Sequence, residues 1–161
     1  MVRRWRLMVA VLAALSALTF ASGWAAAAGP PGGVTIVSHV TFNPDGPNFG
    51  EFAATGAAVD SGLICSTGSF VDLGIRFAGF QSDRGIVQLQ VVKEFTCDDD
   101  SGTFIVKLQI QANFDTGIES FTWVILSGSG DYASLHGSGG GSTVPNPPIG
   151  NINSYFGFLI G

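Results

Sequence analysis

The sequence predicts an all-β protein: a single antiparallel barrel of about eight strands, exported behind a cleaved signal peptide. Three observations predict it. Apolar residues recur at every second position through most of the chain after Ala28. No stretch beyond Ala28 offers ten residues of apolar spacing at 3.6 that is free of glycine and proline. The intervals between apolar runs are short and rich in glycine, proline, asparagine and aspartate, a composition that suits hairpins.

At the amino terminus Arg3, Arg4 and Arg6 precede the apolar run Leu7 to Phe20, and Ala26-Ala27-Ala28 sets small residues before Gly29. That is the order of a secretory signal: a positive end held at the cytoplasmic face, a short apolar helix, and small side chains at the cleavage site. Leu7 to Ala28 just reaches the roughly 20 residues needed to span a bilayer. Ser16, Thr19 and Ser22 dilute it, however. Cleavage is therefore expected, leaving no stable membrane anchor and a secreted domain over 29–161.

The strands follow in order. Val34 to Phe42 reads as the first and Phe49 to Val59 as a second, weakened by Gly50 and Gly56. Phe70 to Phe80 is the third, with Val71, Leu73, Ile75 and Phe77 on one face. Val87, Leu89, Val91 and Phe95 alternate with Gln88, Gln90, Glu94 and Thr96, and Phe104, Val106, Leu108, Ile110, Ala112 and Phe114 repeat the pattern. Asp98-Asp99-Asp100-Ser101-Gly102 lies between those two runs as a turn, so they form a hairpin. Ile118 to Leu126 is the sixth, with Phe121, Trp123 and Ile125 on one face, and Tyr132 to His136 and Ser154 to Ile160 are candidates for the last two. Gly137 to Pro148 reads as a low-complexity surface loop. Eight one-sided strands form a sandwich or a barrel. The barrel is preferred because closure removes aggregation-prone edges, and Gly56, Gly74 and Gly157 fit its bends.

Charge narrows the partners. The signal holds three of the seven basic residues and none of the twelve acidic ones, so the exported part carries four positive charges against twelve negative. Arg76, Arg84, Lys93 and Lys107 are scattered, whereas a phosphate-binding face needs clustered Lys and Arg. Nucleic acid and anionic membranes are poor partners on this ground. Cys65 and Cys97 are the only cysteines, and an even pair in an oxidising compartment reads as a disulfide.

The candidate chemistry is thin. Strict alternation would point Lys93 into the barrel, where a buried ammonium is costly unless paired and its pKa falls. A bulge, or a place at the mouth with the ammonium in water, is the favoured reading, and Lys93 is retained as a cavity candidate. Asp98, Asp99 and Asp100 lack the spacing of a calcium loop. Gly128-Ser129-Gly130 lacks the helix that a dinucleotide fingerprint requires. His39 and His136 build no triad and there is no G-x-S-x-G. No metal or cofactor is expected. Trp123 is the one tryptophan left after the signal, too few for a carbohydrate-binding aromatic face, so the many phenylalanines read as core and cavity lining.

The run from Trp123 to Gly139, with Gly128-Ser129-Gly130-Asp131-Tyr132 at its turn, resembles the strand, Gly-x-Gly-x-Tyr/Phe turn and Gly-ending strand of allene oxide cyclase-like and dirigent-like barrels. The resemblance covers about 17 residues. It implies an eight-stranded antiparallel barrel with a central apolar cavity, and it matches none of those families' catalytic residues to a position here. The expected function is a non-enzymatic binding module for a small apolar ligand, or an extracellular structural protein. The alternative is an isomerase or cyclase of the allene oxide cyclase type. A cavity lined by a charged residue with a perturbed pKa would favour the enzyme; a cavity filled by phenylalanine side chains would sink both small-molecule readings.

Overall fold

The computed structural model describes residues 30–113, 115–116 and 118–161, so the expected signal peptide, 1–28, lies outside the described residues. Eight antiparallel strands close into a barrel in chain order. They are β1 (Gly32–Thr41), β2 (Phe49–Thr55), β3 (Thr67–Gln81), β4 (Ile86–Cys97), β5 (Thr103–Asn113), β6 (Ile118–Gly128), β7 (His136–Pro145) and β8 (Gly150–Ile160). A short helix, α1 (Ala57–Asp60), and a 3-10 turn at Gly130–Tyr132 interrupt the meander. Closure comes from β1 against β8, paired continuously from Gly32↔Leu159 to Thr41↔Gly150.

The alternation read from the sequence holds in β5 and β6: Phe104, Val106, Leu108, Ile110, Phe121, Trp123 and Ile125 are all buried. In one half of the barrel the aromatic side chains fill the interior. Phe95 and Phe104 stack at 5.0 Å, Phe52 meets Phe95 edge-on at 5.1 Å, and Tyr155 meets Phe121 at 4.9 Å. Each buries a large apolar area and adds a favourable ring-edge contact. Below them α1 and its flanks close this end with Ala58, Ile64 and the Cys65–Cys97 disulfide, all buried.

Four expectations are corrected. Gly137 to Pro148 is mostly strand, and Tyr132 to Leu135 is the end of a 3-10 turn and a further turn that lead into β7 at His136. The glycine run works as a strand because β6 and β8 supply ladders on both its sides, while its missing side chains make room for rings. A Cβ at Gly141 would run into the Phe121 ring, and one at Gly157 would stand 2.5 Å from Trp123 Cζ2. Trp123 Nε1 donates to the Gly140 carbonyl at 3.1 Å, so the indole lies bonded across the glycine strand. The second strand stops at Thr55, where Gly56 takes φ 109° and the chain turns into α1. The third correction concerns β3, whose inward residues are Phe70 and Asp72, not Val71. A bulge between Asp72 and Gly74 then shifts the register, so that Ile75 and Phe77 fall opposite Val91 and Leu89 of the inward row. The fourth is Lys93, whose side chain neither bulges out nor reaches water: it lies 3% exposed in the inward row.

Candidate binding site at the barrel mouth

The half of the barrel away from the disulfide is polar inside. Asp72 and Lys93 face each other in register across β3 and β4, with Lys93 Nζ donating to Asp72 Oδ1 at 2.5 Å. Asn48, just ahead of β2, donates through Nδ2 to Asp72 Oδ2 at 3.0 Å, and its carbonyl accepts the Asp72 N–H at 2.8 Å. Lys93 Nζ also stands 4.5 Å from the centre of the Phe70 ring, a cation–π position. Burying both charges is costly, and these contacts are what offset it. Burial still holds the Lys93 ammonium below the ordinary lysine range, against the opposing pull of Asp72.

A second polar set crosses the opposite wall. Ser38, Asn153, Thr143 and Glu119 are successive cross-strand partners on β1, β8, β7 and β6, so a single row of the pleat carries all four. The Thr143 hydroxyl donates to Asn153 Oδ1 at 3.0 Å. Glu119 is half-buried, and burial pushes its carboxyl above the usual range while Thr143 and Lys93 pull it down. Tyr155, one step deeper on β8, is fully enclosed and its phenol is pushed up to about 12, chiefly by burial. Its hydroxyl and Ser38 Oγ are buried with no hydrogen-bond partner of good geometry, although Asn153 and Ser38 pull the phenol's pKa down. A buried unsatisfied hydroxyl is a cost to the fold, so Tyr155→Phe is expected to leave stability unchanged or raise it by up to about 1 kcal/mol, read by urea denaturation.

Above this polar floor the β3–β4 hairpin stands proud. Ile75, Phe77 and Phe80 pair with Val91, Leu89 and Val87 of the inward row, yet they are 56%, 63% and 56% exposed. Three large apolar side chains thus face the mouth without cover, next to half-buried Leu89 and Val87.

The remaining candidates fall elsewhere. Asp99 accepts from the Ser101 backbone at 3.0 Å and from the Ser101 hydroxyl, which makes the triple-aspartate segment a self-bonded turn. Among the described residues no group of three or more His, Cys, Asp or Glu is placed to hold a metal. His39 sits opposite Glu51 on the outer face and His136 opposite Ile160 at the start of β7. Gly128-Ser129-Gly130 leads into three residues of 3-10 turn.

No family model and no curated protein matches the chain. The eight-stranded closed barrel agrees with the fold expected, but no match supports the allene oxide cyclase-like resemblance, which rests on Trp123 to Gly139 alone. Asp72, Glu119, Ser38, Asn153 and Tyr155 were not singled out by the sequence. A lone aspartate or serine among apolar residues reads as an outward position, and only pairing register reveals otherwise.

Proposed function

We propose that this chain is an exported, non-enzymatic binding module that takes a small apolar ligand at the barrel mouth. The observation that carries the reading is the uncovered trio Ile75, Phe77 and Phe80 on the inward side of the overhanging hairpin, above a polar floor. Aromatic rings fill the disulfide half of the barrel, against the central apolar cavity that the resemblance implies, so in this reading the ligand is assigned to the mouth and not to the centre. A ligand with an apolar body and a hydroxyl or amine suits the site best, because Glu119 is the polar group at the mouth and the exported chain is strongly acidic. The disulfide and the signal-like first 28 residues support export. An isomerase of the allene oxide cyclase type is the weaker reading, since Lys93 and Asp72 are enclosed and spent on each other.

N-phenyl-1-naphthylamine, a neutral apolar amine whose fluorescence rises on burial, tests the site. Saturable binding to the exported chain is expected. Phe77→Ser should weaken it about tenfold, the loss of roughly 1.5 kcal/mol of apolar contact. Phe158→Ser, on the outer wall, should leave it unchanged. Loss with Phe158→Ser and none with Phe77→Ser would overturn the reading.

A further inference from the structure

Strand β3 outruns one of its neighbours. β2 accompanies it only from Ala53↔Thr67 to Phe49↔Val71, with one further backbone bond from Asp72 to Asn48, whereas β4 continues beside it to Gln81↔Ile86. Over Leu73 to Gln81 one edge of β3 has no strand beside it among the described residues. A row of unpaired N–H and C=O groups is a template for strand addition unless it is blunted. Here the register shifts lie at Leu73 and Ala78, and the Gly74-Ile75-Arg76-Phe77 stretch between them pairs regularly and contains no proline.

Charge selects what fits that edge. Beyond Ala28 twelve acidic residues outnumber four basic ones. Lys93 is paired inside the barrel and Arg84 sits 3.9 Å from Asp83. The other two, Arg76 and Lys107, line one hollow of about 510 Å³ together with Leu73, Ile75 and Val92, and neither has an ion-pair partner among the described residues. The local charge is therefore opposite to that of the chain as a whole. Alternation adds a second constraint: Arg76 faces the outer side while Ile75 and Phe77 face the mouth side.

We propose that the free edge of β3 takes up an extended partner segment of alternating acidic and apolar residues. The segment pairs with Gly74–Phe77, its carboxylates lying on the outer face beside Arg76, with Lys107 two strands further in on β5, and its apolar residues continuing the row of Ile75 and Phe77. Backbone pairing supplies affinity and the side-chain alternation supplies selectivity, as in other cases of strand addition. A second copy fits less well, because its own β3 would bring Arg76 to an edge that is already positive.

A fluorescein-labelled hexapeptide of alternating Glu and Val, titrated into the exported chain by anisotropy, tests this. Saturable binding is expected, with slowed amide exchange over Gly74–Phe77. A Lys/Val peptide should bind about tenfold more weakly. Methylating alternate peptide nitrogens should abolish binding when the edge-facing amides are blocked. Arg76→Glu, an exposed change on the opposite face of the sheet from Ile75, Phe77 and Leu89, should reverse the preference between the two peptides without affecting naphthylamine binding. No saturable binding, indifference to methylation, protection confined to other strands, or a homodimer that protects this edge without peptide would each overturn the proposal.

Discussion

Replacing Lys93 by methionine is expected to destabilise the protein by about 3–5 kcal/mol, the cost of leaving one member of a buried ion pair uncompensated. Asp72 would keep Asn48 as a donor but lose the ammonium beside Oδ1, in a place where the side chain is almost closed to solvent. Against the 5–15 kcal/mol of a typical domain that is a large share. Removing both charges should behave differently. Lys93→Met with Asp72→Leu replaces the pair by apolar groups of similar volume and should recover most of the loss, because the desolvation cost disappears with the charges. Urea denaturation of the two single variants and the double one closes the cycle and isolates the pairwise term. The pH dependence has a definite sign. The folded state holds Lys93 below its ordinary value, so between that lowered pKa and the unfolded one the unfolded chain binds more protons. The Lys93 contribution to stability should therefore rise with pH through this window, and Lys93→Met should lose that slope. A Lys93→Met variant as stable as the parent would mean that Asp72 finds water or another donor, and the polar floor would have to be more open than its burial implies.

The Lys93–Asp72 pair also marks where the sequence stops being readable. The row Val87, Leu89, Val91, Lys93, Phe95 is plain from alternation, and β4 does follow it. Its partner is 21 residues away on a strand whose face the sequence assigns wrongly: Val71, Leu73, Ile75 and Phe77 alternate as well as any run in the chain. The bulge beside Leu73 breaks that row in two. Before it Phe70 and Asp72 point inward; after it Ile75 and Phe77 do. A bulge adds one residue to one strand and leaves no signature in period two, so the inward aspartate was invisible. The glycine run of β7 failed for the opposite reason. Its strand character lies in the Phe121 and Trp123 rings of the adjacent strand, which need bare backbone to lie against, and local composition without those neighbours says loop. Hairpin β4–β5 and the cysteine pair were legible because each depends on short-range pattern or simple counting.

Opening the Cys65–Cys97 bridge is expected to remove roughly 3.5–4 kcal/mol of stability, on the loop-closure model for its sequence separation of 32. The effect acts mainly through the unfolded chain, which regains the freedom of the segment that carries β3 and β4. At 1–3 kcal/mol per molar for urea, the midpoint should fall by roughly 1–4 M. Two routes to the open form separate entropy from packing. Reduced wild type and the Cys65→Ala/Cys97→Ala double variant should agree if closure entropy dominates; a much larger loss in the alanine variant would assign part of the effect to the sulfur contacts, including Cys97 Sγ at 3.4 Å from the Tyr132 hydroxyl. The bridge lies at the end closed by α1, whereas the β3–β4 overhang and Glu119 lie where β4 and β6 begin, at the other end of the barrel. Under conditions where the opened protein is still folded, naphthylamine binding should therefore persist at its original strength. Retained binding with lowered stability would establish the disulfide as a clasp for the aromatic end that leaves the mouth independent, while parallel loss of both would show that the two halves of the barrel fold and bind as a single unit.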